Sequence, residues 1–291
     1  MANTSQKTYT GWINGFIGVL IFSGSLPATR LAVMDFSPTF ITVARASIAG
    51  LLALSVLLFS KQKQPTKKQF YNLAITALGI VIGFPFFSAI ALTYISSANA
   101  LVFIGVLPLL TASFGVISSG EKPHPKFWLF AIFGASLIVG YAAFQGLSTS
   151  PIGNLLMLFA VILCGLGYAE GAKLSKSVGG WQVISWSLVI SLPLMLPLVF
   201  YFLPPTFVGT SVSSWAGLVY VSVCSMFIGF IFWYRGLAQG GIASVSQLQL
   251  LQPFFGLALA ATLLNEKVSV SMICVTVGVI LCVAASKRFS S

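Results

Sequence analysis

ALTYISSANALVFIGVLPLLTASFGVISSGEK, residues 91–122, aligns without a gap with GLAQGGIASVSQLQLLQPFFGLALAATLLNEK, residues 236–267, when the chain is shifted by 145 positions. The alignment pairs two prolines within apolar stretches, Pro108 and Pro253. It also pairs Glu121-Lys122 with Glu266-Lys267 where these stretches end. The sequence therefore predicts an internal repeat, with one copy over residues 1–148 and the other over 149–291.

Charged residues are scarce throughout the chain. Its 291 residues include 15 basic and 4 acidic side chains, 57% of the residues are hydrophobic, and the mean hydropathy is +1.00. An ordinary soluble domain has about 25% charged residues, and a disordered chain combines low hydrophobicity with high charge. The composition therefore excludes these classes and predicts a polytopic membrane protein.

The apolar stretches are long enough to be transmembrane helices. Crossing a bilayer takes about 20 apolar residues in a helix, whereas barrel strands are about 10 residues long and alternate in polarity. The sequence predicts an all-α integral membrane fold with ten transmembrane helices, over residues 11–31, 38–59, 71–92, 97–118, 126–146, 152–172, 181–203, 214–235, 243–264 and 270–286.

The distribution of basic residues predicts the orientation in the membrane. With the N-terminus in the cytoplasm, twelve basic residues fall on the cytoplasmic side and two, Arg30 and Lys267, on the external side. Because cytoplasmic loops are enriched in Lys and Arg, both termini are predicted to be cytoplasmic. The net charge of +11 is then a topology signal and does not indicate nucleic acid. Five helices per copy would invert the second copy, as in many secondary transporters.

Several segments resemble a known repeat. Residues 22–54, FSGSLPATRLAVMDFSPTFITVARASIAGLLAL, resemble the opening of the EamA-type repeat of the drug/metabolite transporter superfamily. Residues 91–140 and 236–285 resemble its closing part, with Asn265 where a glycine is usual, and residues 152–235 match less clearly. Within the superfamily, the chain is most similar to the bacterial aromatic amino acid exporters. This resemblance implies ten helices, inverted halves, a central cavity and export of amino acids across the inner membrane.

Amides inside apolar segments are candidates for substrate binding. Gln249 and Gln252 share a helix face just before Pro253, Gln247 lies on another face, and Asn99 is the polar element of the first copy. Intramembrane polar groups usually face a cavity or another helix. The alternative is that these amides join helices by hydrogen bonds.

Aromatic side chains are the second group of candidates. Tyr168 and Trp186 lie well inside predicted helices, and Tyr94 lies near a helix end. Such rings could stack on an apolar or aromatic substrate. The alternative is that they pack in the core or belong to the interfacial belt.

Pro108 and Pro253 are predicted hinges. Proline removes a helical hydrogen bond and kinks the helix, and the repeat places this kink at corresponding points of the two copies. The alternative is a static kink that is filled by packing.

Arg45 lies about seven residues into the second predicted helix. It could bind a carboxylate substrate. The preferred interpretation is that it pairs with Asp35 or extends to the external face.

The sequence as a whole predicts a secondary transporter that exports aromatic and other apolar or neutral amino acids by alternating access, without a metal, a cofactor or enzymatic activity. Besides amino acids, its expected partners are membrane lipids and not nucleic acid, and the chain is expected to be a monomer, with dimerisation left open. Export of cationic drugs or other small metabolites is an alternative, although no acidic residue lies in the middle of a predicted helix. A membrane receptor or scaffold is the non-transport alternative.

Overall fold

The computed structural model of the chain describes residues 2–119, 125–146, 150–240 and 245–287, and all regular structure in these residues is helical. The helical runs up to residue 146 are α1 (Ala2–Ser23 and Ser25–Ala32), α2 (Pro38–Phe59), α3 (Lys67–Thr76, Ala77–Gly83 and Phe84–Tyr94), α4 (Ser97–Ile104 and Leu107–Ser119) and α5 (Pro125–Gly146). Those from residue 151 are α6 (Pro151–Val178), α7 (Gly180–Tyr201), α8 (Val212–Val219, Tyr220–Gly229 and Phe230–Gly240), α9 (Ser246–Leu251 and Gln252–Leu263) and α10 (Val270–Lys287).

Seven helices in the described residues are long and apolar enough to cross a membrane: Tyr9–Ala32, Pro38–Phe59, Lys67–Tyr94, Ser97–Gly115, Pro151–Val178, Gly180–Tyr201 and Val212–Gln239. Leu248–Leu263 and Val270–Cys282 are shorter apolar helices. The architecture agrees with the predicted all-helical membrane fold. Ten membrane passes, the inversion of the second copy and the boundary near residue 148 remain predictions.

Serine and threonine side chains define several helix starts. Ser37, Ser96 and Ser211 each accept a hydrogen bond from a backbone N–H in the first turn of the helix that follows. Thr66 and Gln69 form a capping box at the start of α3. These caps satisfy N–H groups that have no intrahelical partner, so the polar breaks between the apolar segments fix where the helices begin.

The helices of the two predicted copies pack against each other. The most extensive contacts include α1 with α8, α3 with α6, α2 with α7 and α5 with α10. Exchanging the numbers 1–5 with 6–10 maps this set of pairs onto itself. A pseudo-twofold relation between the copies would produce such a pattern, and the repeat itself stays a prediction.

Glycines allow the closest of these helix approaches. A Cβ atom added at Gly79 of α3 would lie 2.7 Å from the Cα of Gly167 in α6, and one added at Gly236 of α8 would lie 2.6 Å from the backbone nitrogen of Gly15 in α1. Small residues at such crossings let membrane helices approach at backbone distance. These glycines are therefore used for packing within the chain.

Candidate functional site

A cavity lies between helices of the two predicted copies. Its empty volume, counted together with the space that is open to solvent, is about 430 Å³. It is lined by residues from α1, α2, α3, α4, α6, α8 and α9, namely Phe22, Ser25, Leu26, Arg45, Ile80, Phe84, Ile104, Leu107, Cys164, Tyr168, Ser225, Phe230 and Gln252. Seven helices therefore contribute to one mixed aromatic and polar site.

Irregular backbone surrounds this cavity. Ser25 follows a turn at Gly24 in α1, Ile104 and Leu107 flank the break in α4, and Gln252 follows the 3-10 segment of α9. Ile80 and Ser225 lie in the π-helical stretches of α3 and α8. In membrane proteins, interrupted helices are tolerated where they line a cavity or are buried in protein. The five interrupted helices therefore meet at the candidate site.

Tyr168 is buried and lines the cavity. Its ring packs against Phe230 at a centroid distance of 5.8 Å and against Trp233 at 6.1 Å. Its hydroxyl lies near the Cys164 thiol, one turn earlier in α6. The structure thus places the predicted aromatic candidate in a cluster of rings at the cavity wall.

The two predicted glutamines of α9 are both buried, but they differ in position. Gln252 lines the cavity and donates a 3.4 Å hydrogen bond from Nε2 to the carbonyl oxygen of Phe22, while its Oε1 has no partner. Gln249 lies near the Tyr168 hydroxyl, yet neither of its amide atoms has a partner that meets hydrogen-bond geometry. Gln252 is therefore the amide that borders the cavity directly.

Three of the other predicted binding residues, Asn99, Trp186 and Tyr94, are not among the residues that line the cavity. Asn99 is buried in the first turn of α4, where its backbone N–H is capped by Ser96. Trp186 packs against the hydrophobic core, and Tyr94, which is 52% exposed, lies at the end of α3. Gln247 lies in the 3-10 segment of α9, and its side chain is outside the described part of the structure. Their role in binding remains a prediction.

Arg45 lines the cavity and is only 3% exposed. The expectation that it pairs with Asp35 or extends to the surface is wrong. Asp35 instead accepts hydrogen bonds from the backbone and hydroxyl of Ser211 and from the Ser214 hydroxyl. Among the described residues, the Arg45 side chain forms no ion pair or hydrogen bond, and its Nε is buried without a partner. Asp35 thus lies in the turn between α1 and α2 and is bound to the start of α8, whereas Arg45 is buried within α2.

Two acidic side chains bind helix starts in the opposite predicted copy. The hydrogen bonds from the Ser211 hydroxyl, the Ser211 backbone and the Ser214 hydroxyl lower the pKa of Asp35 below its ordinary value. Glu266 accepts bonds from the Ser97 backbone (3.0 Å), the Ser97 hydroxyl (2.8 Å) and the Ala98 backbone (2.7 Å). A carboxylate at a helix N-terminus is favoured by the N–H groups and the helix dipole. Glu121 and Lys122, the repeat counterparts of Glu266 and Lys267, lie outside the described residues.

Both predicted hinge prolines follow helix interruptions. Pro108 is the second residue of Leu107–Ser119, after the break at Gly105 and Val106. Pro253 is the second residue of Gln252–Leu263, after the 3-10 segment. Proline fits this position because the first helical N–H groups lack intrahelical partners.

Much of the apolar wall of the cavity could not be identified from the sequence. Phe22, Phe84 and Phe230 are three of 25 phenylalanines. The sequence features that could have located this wall are Gly24 and Pro27 in α1 and Pro85 in α3, which lie close to the interruptions of these helices. Among the described residues, no group of three or more His, Cys, Asp and Glu side chains could hold a metal.

Comparison with known proteins identifies the family. The EamA-like transporter family matches residues 9–141 and 151–286. The uncharacterized transporter YdeK of Bacillus subtilis (strain 168) is 59% identical over 285 residues, which cover 98% of this chain and 99% of YdeK. The uncharacterized inner membrane transporter YedA of Escherichia coli (strain K12) is 25% identical over 161 residues, 55% of this chain and 52% of YedA.

A solved crystal structure has the same fold, with a TM-score of 0.65 at 19% identity, and the match covers 97% of this chain and 96% of that one. The family and the named relatives are transporters rather than enzymes. The family match covers most of the chain and agrees with the apolar helices of the fold. The chain is therefore a multi-pass membrane protein of the EamA-like transporter family.

Proposed function

We propose that this protein exports aromatic and other apolar or neutral amino acids across the membrane by alternating access. The observation that carries the proposal is the cavity at which five interrupted helices meet. In secondary transporters, substrate sites lie between the repeats at discontinuous helices. A cavity with these walls can change its shape when the interrupted helices bend.

The composition of the cavity wall suits an amphipathic amino acid. Phe22, Phe84, Tyr168 and Phe230 supply an apolar and aromatic surface. Arg45, Gln252 and the hydrogen-bonded hydroxyls of Ser25 and Ser225 supply polarity. Binding pockets for small molecules commonly combine a mostly apolar wall with a few polar groups that fix orientation.

The proposed location is the inner, or plasma, membrane, with both termini in the cytoplasm. The relative YedA is named an inner membrane transporter, and the distribution of basic residues supports this orientation. Two separate family matches, over residues 9–141 and 151–286, support two copies of one repeat. The use of glycines for packing inside the chain supports a monomer.

Export of cationic drugs is less well supported. A cation held inside a membrane protein is usually balanced by a carboxylate. Among the described residues, the charged group that lines the cavity is Arg45, and no acidic side chain lines it. A positively charged cavity disfavours a cationic substrate.

The test is flux of radiolabelled phenylalanine into proteoliposomes that contain the purified protein, with and without a pH gradient. We expect saturable flux above that of protein-free liposomes, and exchange when the liposomes are preloaded with unlabelled amino acid. A flux equal to that of protein-free liposomes for phenylalanine, leucine and other neutral amino acids would contradict the proposal.

A further inference from the structure

Arg45 is a buried cation with no balancing group in the described part of the chain. Its guanidinium is a donor that keeps its charge in proteins. Its Nε is enclosed without a hydrogen bond, and the residue lies on the wall of the cavity. An isolated charge in a low-dielectric region is unfavourable unless it is paired.

The acidic residues in the described part of the chain do not pair with Arg45, and two of them bind other groups. Asp35 is held by Ser211 and Ser214, and Glu266 is held by Ser97 and Ala98. Glu170 of α6 is not among the residues that line the cavity. The anion that would balance Arg45 is therefore missing from the described protein, and the cavity is where one could bind.

The same cavity also contains a hydrogen-bond acceptor without a partner. Gln252 presents an amide oxygen that is buried without a partner, and an amide oxygen can only accept hydrogen bonds. An ammonium group could donate to it. A zwitterion would thus find a cation for its carboxylate and a neutral acceptor for its ammonium, beside the aromatic wall that contains Tyr168.

We infer that Arg45 is the binding residue for a substrate carboxylate, so that the cavity selects amphipathic carboxylates and does not accept the corresponding amines. This inference rests on the proposed transport function and narrows it. The guanidinium can form two parallel hydrogen bonds to a carboxylate. The ammonium of an amino acid contributes less because its acceptor is a neutral amide.

The test uses three ligands with the same apolar body: 3-phenylpropionate, 3-phenylpropionamide and 3-phenylpropylamine, together with phenylalanine. Binding to the purified full-length protein is measured by calorimetry and by the ligand-induced shift of thermal unfolding. We expect the two carboxylates to bind at least about tenfold more tightly than the amide or the amine.

Two variants at Arg45 and one elsewhere make the test specific. Arg45→Gln should weaken carboxylate binding about 10- to 100-fold and remove the preference over the amide. Arg45→Lys keeps the charge but loses the paired donors, so its affinity for carboxylates should lie between those of the wild type and Arg45→Gln. Arg30→Gln is the matched control. Arg30 donates to the carbonyl oxygen of Leu92 and does not line the cavity, so its loss should leave the carboxylate preference intact.

Thermal unfolding without ligand separates binding from folding. Since Arg45→Gln removes an unbalanced buried charge, its unfolding midpoint should equal or exceed that of the wild type. A variant that is folded and has lost carboxylate binding therefore supports the inference.

Equal binding of the amine and the carboxylate, a preference that survives in Arg45→Gln, or no binding of any of the four ligands would overturn the inference. The outcomes also separate this inference from the proposed function. Amino acid flux that Arg45→Gln leaves unchanged would remove the role of Arg45 and keep amino acid transport. Binding of phenylpropionate through Arg45 without flux of any amino acid would keep the carboxylate site and reject amino acids as the substrate.

Discussion

At the residue scale, the cavity contains polar atoms that are not satisfied by the protein. The Gln252 Oε1 and the Arg45 Nε are both buried without partners. An unsatisfied buried polar group costs about 1–3 kcal/mol in proteins. Such groups are unfavourable for folding, and at a binding site a ligand can supply the missing partners. The two unsatisfied groups are therefore better explained by a role in binding than by a role in stability.

Tyr168 is expected to affect aromatic substrates more than aliphatic ones. Tyr168→Leu keeps an apolar side chain at the cavity wall but removes the ring, and an aromatic pair is worth about 0.5–1.5 kcal/mol beyond its buried area. We therefore expect the KM for phenylalanine in proteoliposomes to rise about twofold to tenfold, with a smaller change for leucine.

The control for this substitution is Tyr94→Leu, because Tyr94 is half-exposed and lies outside the cavity. It should leave both KM values near those of the wild type. An equal rise for phenylalanine and leucine in Tyr168→Leu would argue for a general packing defect.

At the element scale, the helices are positioned by close glycine crossings and by carboxylates at helix starts. Both features join the two predicted copies. Gly79 and Gly167 let α3 meet α6 at backbone distance, while Glu266 joins the loop after α9 to the start of α4. Each of these contacts joins two elements that are far apart in the sequence. The formation of the individual helices therefore does not by itself determine the contacts.

A side chain at Gly79 is expected to separate α3 from α6. A Cβ atom there would lie 2.6 Å from the carbonyl oxygen of Leu163, and backbone atoms cannot move aside cheaply. Gly79→Ala should therefore lower the thermal unfolding midpoint and the yield of folded protein, as overpacking commonly costs about 1–3 kcal/mol.

Gly140→Ala is the matched control, because a Cβ atom at Gly140 of α5 meets nothing within 4 Å. It should be neutral or slightly stabilising, since alanine favours helix more than glycine does. Equal stability of the two variants in the same detergent would show that the crossing of α3 and α6 is not tight.

Glu266 is expected to stabilise the start of α4. Glu266→Ala removes an acceptor of three hydrogen bonds from Ser97 and Ala98, and loss of such a cap costs about 1 kcal/mol. The measurement is the unfolding midpoint in detergent. The adjacent Lys267 is exposed, so Lys267→Ala should change the midpoint much less.

At the scale of the whole molecule, the interruptions of the helices match between the two predicted copies. The π-helical stretch Ala77–Gly83 corresponds, after the shift of 145, to residues 222–228, which lie inside the second stretch, Tyr220–Gly229. The interruptions before Pro108 and Pro253 correspond in the same way. π-Helical insertions are frequent at functional sites. This correspondence is the basis for predicting that the two predicted copies bend together around the cavity.

Pro108 and Pro253 are expected to matter for the rate of transport. Replacing both by alanine allows the helices to restore backbone hydrogen bonds across the interruptions. We expect the maximal flux in proteoliposomes to fall at least about threefold with little change in KM, because bending and not binding is impaired.

The control is Pro197→Ala in α7, an in-helix proline that does not line the cavity. It should leave the maximal flux close to that of the wild type. If the double variant transports at the wild-type rate while remaining folded, the two prolines are static kinks.

The sequence predicted the positions of the helices well, because length and hydropathy largely determine a membrane helix. The second predicted helix, residues 38–59, has the bounds of α2, Pro38–Phe59. The predicted helix over residues 71–92 is longer in the structure, Lys67–Tyr94, because the Thr66 and Gln69 capping box starts it earlier. The break at Gly105 inside residues 97–118 was not predicted, since hydropathy is insensitive to backbone geometry.

What the sequence by itself determined is the membrane class, the approximate positions of the helices and the family, because each depends on composition and on residues close together along the chain. Tertiary structure alone decided which side chains meet. It brought Tyr168 and Gln252 to one cavity, left Asn99 and Tyr94 outside it, and separated Arg45 from Asp35. The physical reason is that the direction of a side chain depends on helix rotation and on packing partners far away in sequence, and hydropathy encodes neither.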